Sequence, residues 1–134
     1  MSQENVEIVR THIEAFRQDD ALRSLSVVDP HVVLDRSRVQ TVDSEVTYGH
    51  EALVQAVRRH VGAFKDHSYV VERLTDFGSG AVLAVVTETG RGKSSGVPVR
   101  QSFAALYTVI DGKIVRVTQF PSEEEALEAA GLRE

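Results

Sequence analysis

The chain has 134 residues, of which 42% are hydrophobic and 26% are charged, and it contains no cysteine. This length and composition predict one globular domain over residues 1–134 without disulfides, thiolate metal ligands or thiol nucleophiles. The formal net charge of −5 argues against nucleic acid and anionic membranes as partners, since both attract basic surfaces. No apolar run resembles a signal peptide or a membrane span, so we expect a cytoplasmic protein.

The first part of the chain predicts two helices and a short strand. Over residues 4–17, apolar side chains recur at steps of three and four residues, which indicates an amphipathic helix. Asp19 or Asp20 can cap a short second helix that ends at Asp29-Pro30. Residues 31–35 then predict a short strand. Residues 36–46 have no clear period and predict a loop or an irregular edge strand.

A third helix and a series of strands follow. After residues 47–50, apolar positions keep helical spacing as far as Phe64. Residues 69–76 and 81–89 predict two strands joined by a turn, and residues 90–96 predict the next loop.

The strongest β pattern lies at residues 97–120. Two alternating runs flank Asp111-Gly112, a dipeptide that favours a tight hairpin turn. One face of this hairpin is apolar with a few polar groups set into it, which is typical of a pocket wall. A capping box, Ser122 with Glu125, then begins a final short helix. Helices followed by an antiparallel meander predict an α+β fold, in which a curved antiparallel sheet wraps around N-terminal helices and leaves a cone with an open mouth.

Seven segments along the chain carry a resemblance to a known family. They are Asn5–Arg10, Glu14–Phe16, Asp29-Pro30, Tyr48–Glu51, Ser95–Val99, Asp111–Val117 and Glu124–Leu132. With the order of elements, they resemble the SnoaL-like branch of the nuclear transport factor 2-like superfamily. This group has a cone-shaped, cystatin-like fold, and its relatives include ketosteroid isomerases, polyketide cyclases and limonene-epoxide hydrolases.

The resemblance implies site residues only in part. Asp35 falls at a position similar to the general-base aspartate of ketosteroid isomerase, and His12 at that of its oxyanion tyrosine. The second oxyanion donor of that enzyme falls near Ala104 or Ala105, so this donor is missing. The Asp-Arg-Asp arrangement of the epoxide hydrolases has no convincing equivalent here.

Each candidate catalytic residue has two possible interpretations, one structural and one functional. Asp35 is either a turn residue at a strand end or a base at the pocket mouth, where partial desolvation would raise its pKa. His12 is either a half-buried histidine bonded to a backbone carbonyl, or a neutral donor to an oxyanion or a water. Glu88 either faces inward as a buried acid that needs a partner or faces solvent, and we weakly favour solvent.

The inward positions of the predicted helices and strands define a substrate pocket. We expect it to be lined by Ile13, Phe16, Leu53, Val57, Tyr69, Phe103, Tyr107, Val117 and Gln119. The five histidines have no close spacing that would indicate a metal site, and we expect His60 and His67 to face solvent.

Two functions fit this sequence. The first is a cofactor-independent enzyme that acts by proton transfer, as an isomerase or cyclase, on a small apolar molecule with a carbonyl group; epoxide hydrolysis is a variant of it. The second is a non-catalytic module that binds a small ligand or dimerises. In both cases we expect a homodimer through the outer face of the sheet, near Arg116 and Thr118.

Overall fold

The computed structural model describes residues 2–39 and 45–131 and has an α+β architecture, as the sequence predicts. Its elements, in chain order, are α1 (Ser2–Arg17), α2 (Ala21–Leu25), β1 (Val28–Asp35), β2 (Val46–Tyr48), α3 (His50–Gly62), β3 (Phe64–Gly78), β4 (Ala81–Gly92), β5 (Pro98–Ile110), β6 (Lys113–Phe120) and α4 (Glu123–Ala129). Over the described residues, no helix combines the length and apolar character that crossing a bilayer requires.

The six strands form one curved sheet in the order β2-β1-β6-β5-β4-β3. The meander from β3 to β6 is antiparallel, as the sequence predicts, and β1 pairs antiparallel with β2 but parallel with β6. A parallel pair needs a long connection, and here α3 and four strands separate β1 from β6 in sequence.

Several predicted boundaries differ from the structure. β1 begins at Val28 and therefore includes Asp29-Pro30. Its pairing with β6 is interrupted between Val28 and Val33. A strand tolerates proline at such an interruption, because no backbone N–H is needed there. α3 ends at Gly62, and Phe64 begins β3. β4 extends to Gly92 and so shortens the predicted loop. Of the segment at 36–46, residues 36–39 are irregular, residues 40–44 lie outside the described residues, and Val46 begins β2.

The hairpin predicted about Asp111-Gly112 is confirmed. Both residues have positive φ angles, 51° and 78°, and β5 pairs with β6 from Ile110 and Lys113 back to Ala104 and Phe120. These angles suit the twist of a tight antiparallel turn.

The main core lies between α1 and the inner face of the sheet. Val9 and Ile13 of α1 are buried against Val82, Val86 and neighbouring apolar side chains. A smaller cluster lies on the outer face, where Ala126 of α4 packs with Phe120 and neighbouring side chains. Part of the inner face is therefore covered by α1, and the remainder is free to enclose a cavity.

The β3–β4 turn contains two glycines that offer a matched test of packing. Gly78 and Gly80 both have positive φ angles, 86° and 83°. A Cβ at Gly78 would meet nothing within 4 Å, whereas a Cβ at Gly80 would overlap the carbonyl oxygen of Val109.

We expect Gly78→Ala to lower the free energy of unfolding by about 1–2 kcal/mol, the cost of a left-handed conformation in a residue with a Cβ. Gly80→Ala should cost clearly more, because β5 must also move away. Urea unfolding of both variants checks this. Equal losses would show that the close approach to Val109 does not constrain the turn.

Candidate functional site

A cavity of about 600 Å³ lies between α1, α3 and the inner face of the sheet. All nine residues expected to line a pocket do line this cavity: Ile13, Phe16, Leu53, Val57, Tyr69, Phe103, Tyr107, Val117 and Gln119. Most of them are aliphatic or aromatic. The rest of the lining includes polar side chains such as His12, Arg36 and Glu88, so the cavity suits a molecule with a largely apolar body and several polar contacts.

Glu88 faces this cavity and has no exposed surface, so the preference for an outward position is wrong. Side chains alternate along β4, and the buried Val82, Ala84 and Val86 put Glu88 on the inner face two residues further on. A buried carboxylate needs partners, and Glu88 has three.

His60, His67 and Gln101 surround the Glu88 carboxylate and form with it what we call the Glu88 cluster. The Nε2 atoms of both histidines lie 2.6 Å from Oε2, and the Gln101 amide donates to Oε1 at 2.6 Å. The side chains of His60 and His67 are only 28% and 14% exposed, so the expectation that they face solvent is wrong.

A break in strand alternation brings the two histidines together. The β3–β4 pairing shifts between Lys65 and Ser68, and Asp66 has a positive φ of 55°. Such a bulge re-aims the side chains around it. The Phe64 ring consequently contacts both His60 and His67, with centroid distances of 5.3 and 5.1 Å. Histidine spacing gave no signal of this, because the short connection between α3 and β3 places a helix residue beside a strand residue.

The hydrogen bonds decide the charge of Glu88. Burial by itself raises the pKa of this carboxyl, but the hydrogen bonds from His60, His67 and Gln101 outweigh burial and lower the pKa below its usual value. The carboxylate is therefore ionised at neutral pH and can only accept hydrogen bonds, so both histidine Nε2 atoms carry protons. In a neutral imidazole this leaves the lone pair on Nδ1, which can take up a proton.

The cluster also offers three metal-ligand atoms. One ligand atom from each of His60, His67 and Glu88 lies within 4.8 Å of the other two. Two histidines and one carboxylate are a donor set that suits Zn²⁺ or Fe²⁺.

His12 is buried and lines the cavity, and burial lowers its pKa to about 4 even though a hydrogen bond with the Ser24 backbone acts in the opposite direction. Its Nδ1 lies 2.8 Å from the Ser24 hydroxyl, which itself donates to the His12 carbonyl oxygen at 3.2 Å. We infer from these bonds that Nδ1 carries the proton, so that Nε2 is an acceptor. His12 is thus suited to orient a water or a ligand hydroxyl.

Asp35 does not line the cavity. Leu34 and Arg36 on either side of it do, so strand alternation turns Asp35 to the outer face. There its carboxylate accepts hydrogen bonds from the Ser37 hydroxyl at 2.6 Å and from Arg116 at 2.8 Å. The Ser37 hydroxyl and the Arg116 charge hold the pKa of Asp35 below its usual value, against the opposing effect of burial. The expectation of a raised pKa is therefore wrong.

Arg36 is a cavity residue that the sequence reasoning missed. It is only 5% exposed, and its Nε donates to Gln119 Oε1 at 3.3 Å. The sequence does indicate its position, because Val32 and Leu34 are apolar residues two positions apart. If the strand continues, Arg36 lies on the same face as these two residues.

Tyr69 and Tyr107 are neutral hydroxyl groups on the same wall. Burial raises the pKa of both phenols above the ordinary value. Their rings lie among the apolar cavity residues, with Tyr69 contacting Phe103 and Tyr107 contacting His12. Both can donate a hydrogen bond at neutral pH.

The family model described as a SnoaL-like domain matches residues 9–117. The chain belongs to the SnoaL-like domain family. The resemblance recognised in the sequence is thereby confirmed. No curated protein matches the sequence.

Solved structures support the same fold for this SnoaL-like chain. An NTF2-like protein from Burkholderia xenovorans LB400 is 22% identical with a TM-score of 0.74, over 90% of each chain. A putative polyketide cyclase from Xanthomonas campestris pv. campestris is 19% identical with a TM-score of 0.67, over 95% of this chain and 96% of the other. TerC, co-crystallised with polyporic acid, is 17% identical with a TM-score of 0.75, over 93% and 96%.

The buried His12 predicts a pH dependence of stability. Its pKa is lower in the folded chain than its ordinary value of 6.5, so between about pH 6.5 and 4 the unfolded chain binds an extra proton. The free energy of unfolding should fall as pH decreases through this window, by about 3 kcal/mol from this group.

Urea unfolding at several pH values measures the effect, with His12→Leu as the test and His31→Gln as the control at an exposed histidine. We expect His12→Leu to flatten the curve between pH 6.5 and 4, and His31→Gln to retain it. An unchanged slope in His12→Leu would show that His12 is not the group responsible.

Proposed function

We propose that this protein is an enzyme that moves a proton at a carbon atom of a small, largely apolar, carbonyl-bearing substrate, in an isomerase or cyclase type of reaction. The single observation that carries the proposal is the Glu88 cluster: an ionised, fully buried carboxylate holds two histidines at the wall of an apolar cavity. Buried ionisable groups of this kind concentrate at functional sites.

His60 or His67 is the proposed base, and Glu88 holds it in place. A histidine that donates Nε2–H to a carboxylate keeps a defined tautomer, and the carboxylate stabilises the imidazolium formed when the other nitrogen takes a proton. Glu88 itself is a poor base, because three hydrogen bonds lower its pKa. This assignment replaces Asp35, whose carboxylate is bound to Ser37 and Arg116 on the outer face.

The two cavity tyrosines supply the electrophilic side of the proposed reaction. When a proton leaves the carbon next to a carbonyl group, negative charge develops on the carbonyl oxygen. A neutral hydroxyl from Tyr69 or Tyr107 can stabilise that oxygen by a hydrogen bond in an apolar environment. The protonated histidine then returns the proton to carbon, so the reaction needs no oxidant, reductant or added group.

Membership of the SnoaL-like family supports this class of chemistry, as does the similarity to a putative polyketide cyclase. The alternative is a ligand-binding module without catalysis. It is favoured by the alanines at 104 and 105, where the resemblance to ketosteroid isomerase would require an acidic donor. Hydroxyl groups from Tyr69 and Tyr107 offer a different source of that hydrogen bond.

A generic carbon acid tests the proposed base. 5-Nitrobenzisoxazole opens when a base removes its C–H proton, and the phenolate formed is measured by absorbance. We expect the wild type to accelerate this reaction over buffer, and the double variant His60→Gln/His67→Gln to lose about a hundredfold, the usual contribution of a positioned base. Glu88→Gln should also reduce the rate, because the histidines lose their anionic partner.

Asp35→Asn and His31→Gln are the matched controls, since both lie outside the cavity, and we expect their rates to stay within about twofold of wild type. Equal rates in the wild type and the double histidine variant would contradict the proposal. Dialysis against EDTA should leave the rate unchanged. A rate lost with EDTA and restored by Zn²⁺ would instead show that the cluster acts through a bound ion.

We also propose a homodimer through the outer face of the sheet. α4 covers only part of this face, where it packs on Phe120. Further along, Val70 is 46% exposed and the Arg116 side chain 45% exposed. Light scattering at micromolar concentration should give twice the chain mass of 14.7 kDa. A monomer mass would contradict the dimer without bearing on the cavity.

A further inference from the structure

We infer that the ligand of this cavity carries a carboxylate group that binds to Arg36, at the opposite end of the cavity from the Glu88 cluster. The inference rests on the proposed function only in taking this cavity as the ligand site. It does not depend on which residue acts as the base.

Arg36 is a buried cation that lacks a counter-ion. Among residues 2–39 and 45–131, no ion pair involves its guanidinium group. Among the same residues, its side chain donates one hydrogen bond, the 3.3 Å contact to the neutral Gln119 amide. Burial of an uncompensated charge is costly, so such a group is normally paired or used in binding.

The carboxylates of Asp35 and Glu88 accept hydrogen bonds from groups other than Arg36. Asp35 is adjacent in sequence, but its oxygens accept hydrogen bonds from Ser37 and Arg116 on the outer face. Glu88 is the buried acid of the cavity, and His60, His67 and Gln101 saturate it. Among residues 2–39 and 45–131, neither carboxylate therefore neutralises Arg36, and a bound ligand can supply the negative charge.

Sheet register places the two polar ends apart. Gln119 pairs with Ala105, and Ala105 with Ala84, which lies four residues before Glu88 on β4. Four residues along a strand and two strand spacings across the sheet separate the Gln119 and Glu88 backbones by roughly 17 Å. Side chains and sheet curvature shorten this span. It suits a ligand of two or three fused rings that reaches both ends.

The guanidinium group selects the type of anion. Its planar set of N–H donors matches the two oxygens of a carboxylate, and a charged acceptor makes a stronger hydrogen bond than a neutral one. Gln119 can assist by fixing the Arg36 side chain from one side. The expected ligand class is therefore an apolar polycyclic or aryl carboxylate whose reacting carbon faces the Glu88 cluster.

A pair of fluorescent probes with the same shape tests this. We expect the wild type to bind 2-naphthoate at least about tenfold more tightly than the neutral 2-naphthamide, the gain typical of a charge-assisted hydrogen bond. Arg36→Met, which retains the length of the side chain without its charge, should abolish this preference and leave 2-naphthamide binding within about twofold. Arg36→Lys should give an intermediate preference, because the charge remains without the planar fork.

Arg10→Met is the matched control. Arg10 is an exposed arginine of α1 that does not line the cavity and is bonded to Glu7 at 3.4 Å, so its loss should leave the preference unchanged. Equal binding of both probes by the wild type, binding of neither, or an undiminished preference in Arg36→Met would overturn the inference. So would a loss of both probes alike in Arg36→Met, with an unchanged thermal midpoint, because Arg36 would then only shape the cavity.

These outcomes are separable from those of the proposed reaction. If the elimination of 5-nitrobenzisoxazole depends on the histidines but the two naphthalene probes bind alike, only the carboxylate inference fails. If the probes are distinguished but the histidine variants keep the wild-type rate, the cavity binds a carboxylate and the proposed proton transfer fails.

Discussion

The buried Glu88 carboxylate is the interaction on which the rest of this structure depends. Placing an unpaired charge inside a protein costs several kcal/mol, and the cost is offset only where hydrogen bonds satisfy the charge. His60 at the end of α3, His67 on β3 and Gln101 on β5 provide them. One side chain on β4 therefore ties a helix to three adjacent strands. The bulge before Ser68 belongs to the same constraint, because it accompanies the inward position of His67.

The cavity follows from how the two sides of the sheet are covered. α1 fills part of the inner face with Val9 and Ile13, whereas α4 packs on the outer face around Phe120. What remains of the inner face is lined by aromatic and aliphatic groups between two polar ends. A surface of this kind gains free energy by excluding water from an apolar ligand, while the polar ends fix the ligand's orientation.

The two ends of the cavity differ in how their charged groups are paired. The Glu88 end is internally satisfied, so its histidines can exchange protons without exposing an unpaired charge. The Arg36 end is not satisfied by the described residues, which makes it the place where a ligand contributes most. On the outer face, Asp35 and Arg116 form a separate pair. The sheet thus keeps its structural ion pair away from the groups that face the cavity, by the alternation of side chains along β1.

The sequence by itself determined the α+β class, the hairpin about Asp111-Gly112, the family resemblance and the nine pocket positions, because helical and strand periodicities report which side of each element is apolar. Only the tertiary structure decided which polar side chains face the cavity. Asp35 and Arg36 are adjacent, and one step of strand register decides which of them faces the cavity. His60 and His67 lie on different elements, and their meeting at Glu88 depends on a short turn and a bulge, neither of which leaves a periodic signal in the sequence.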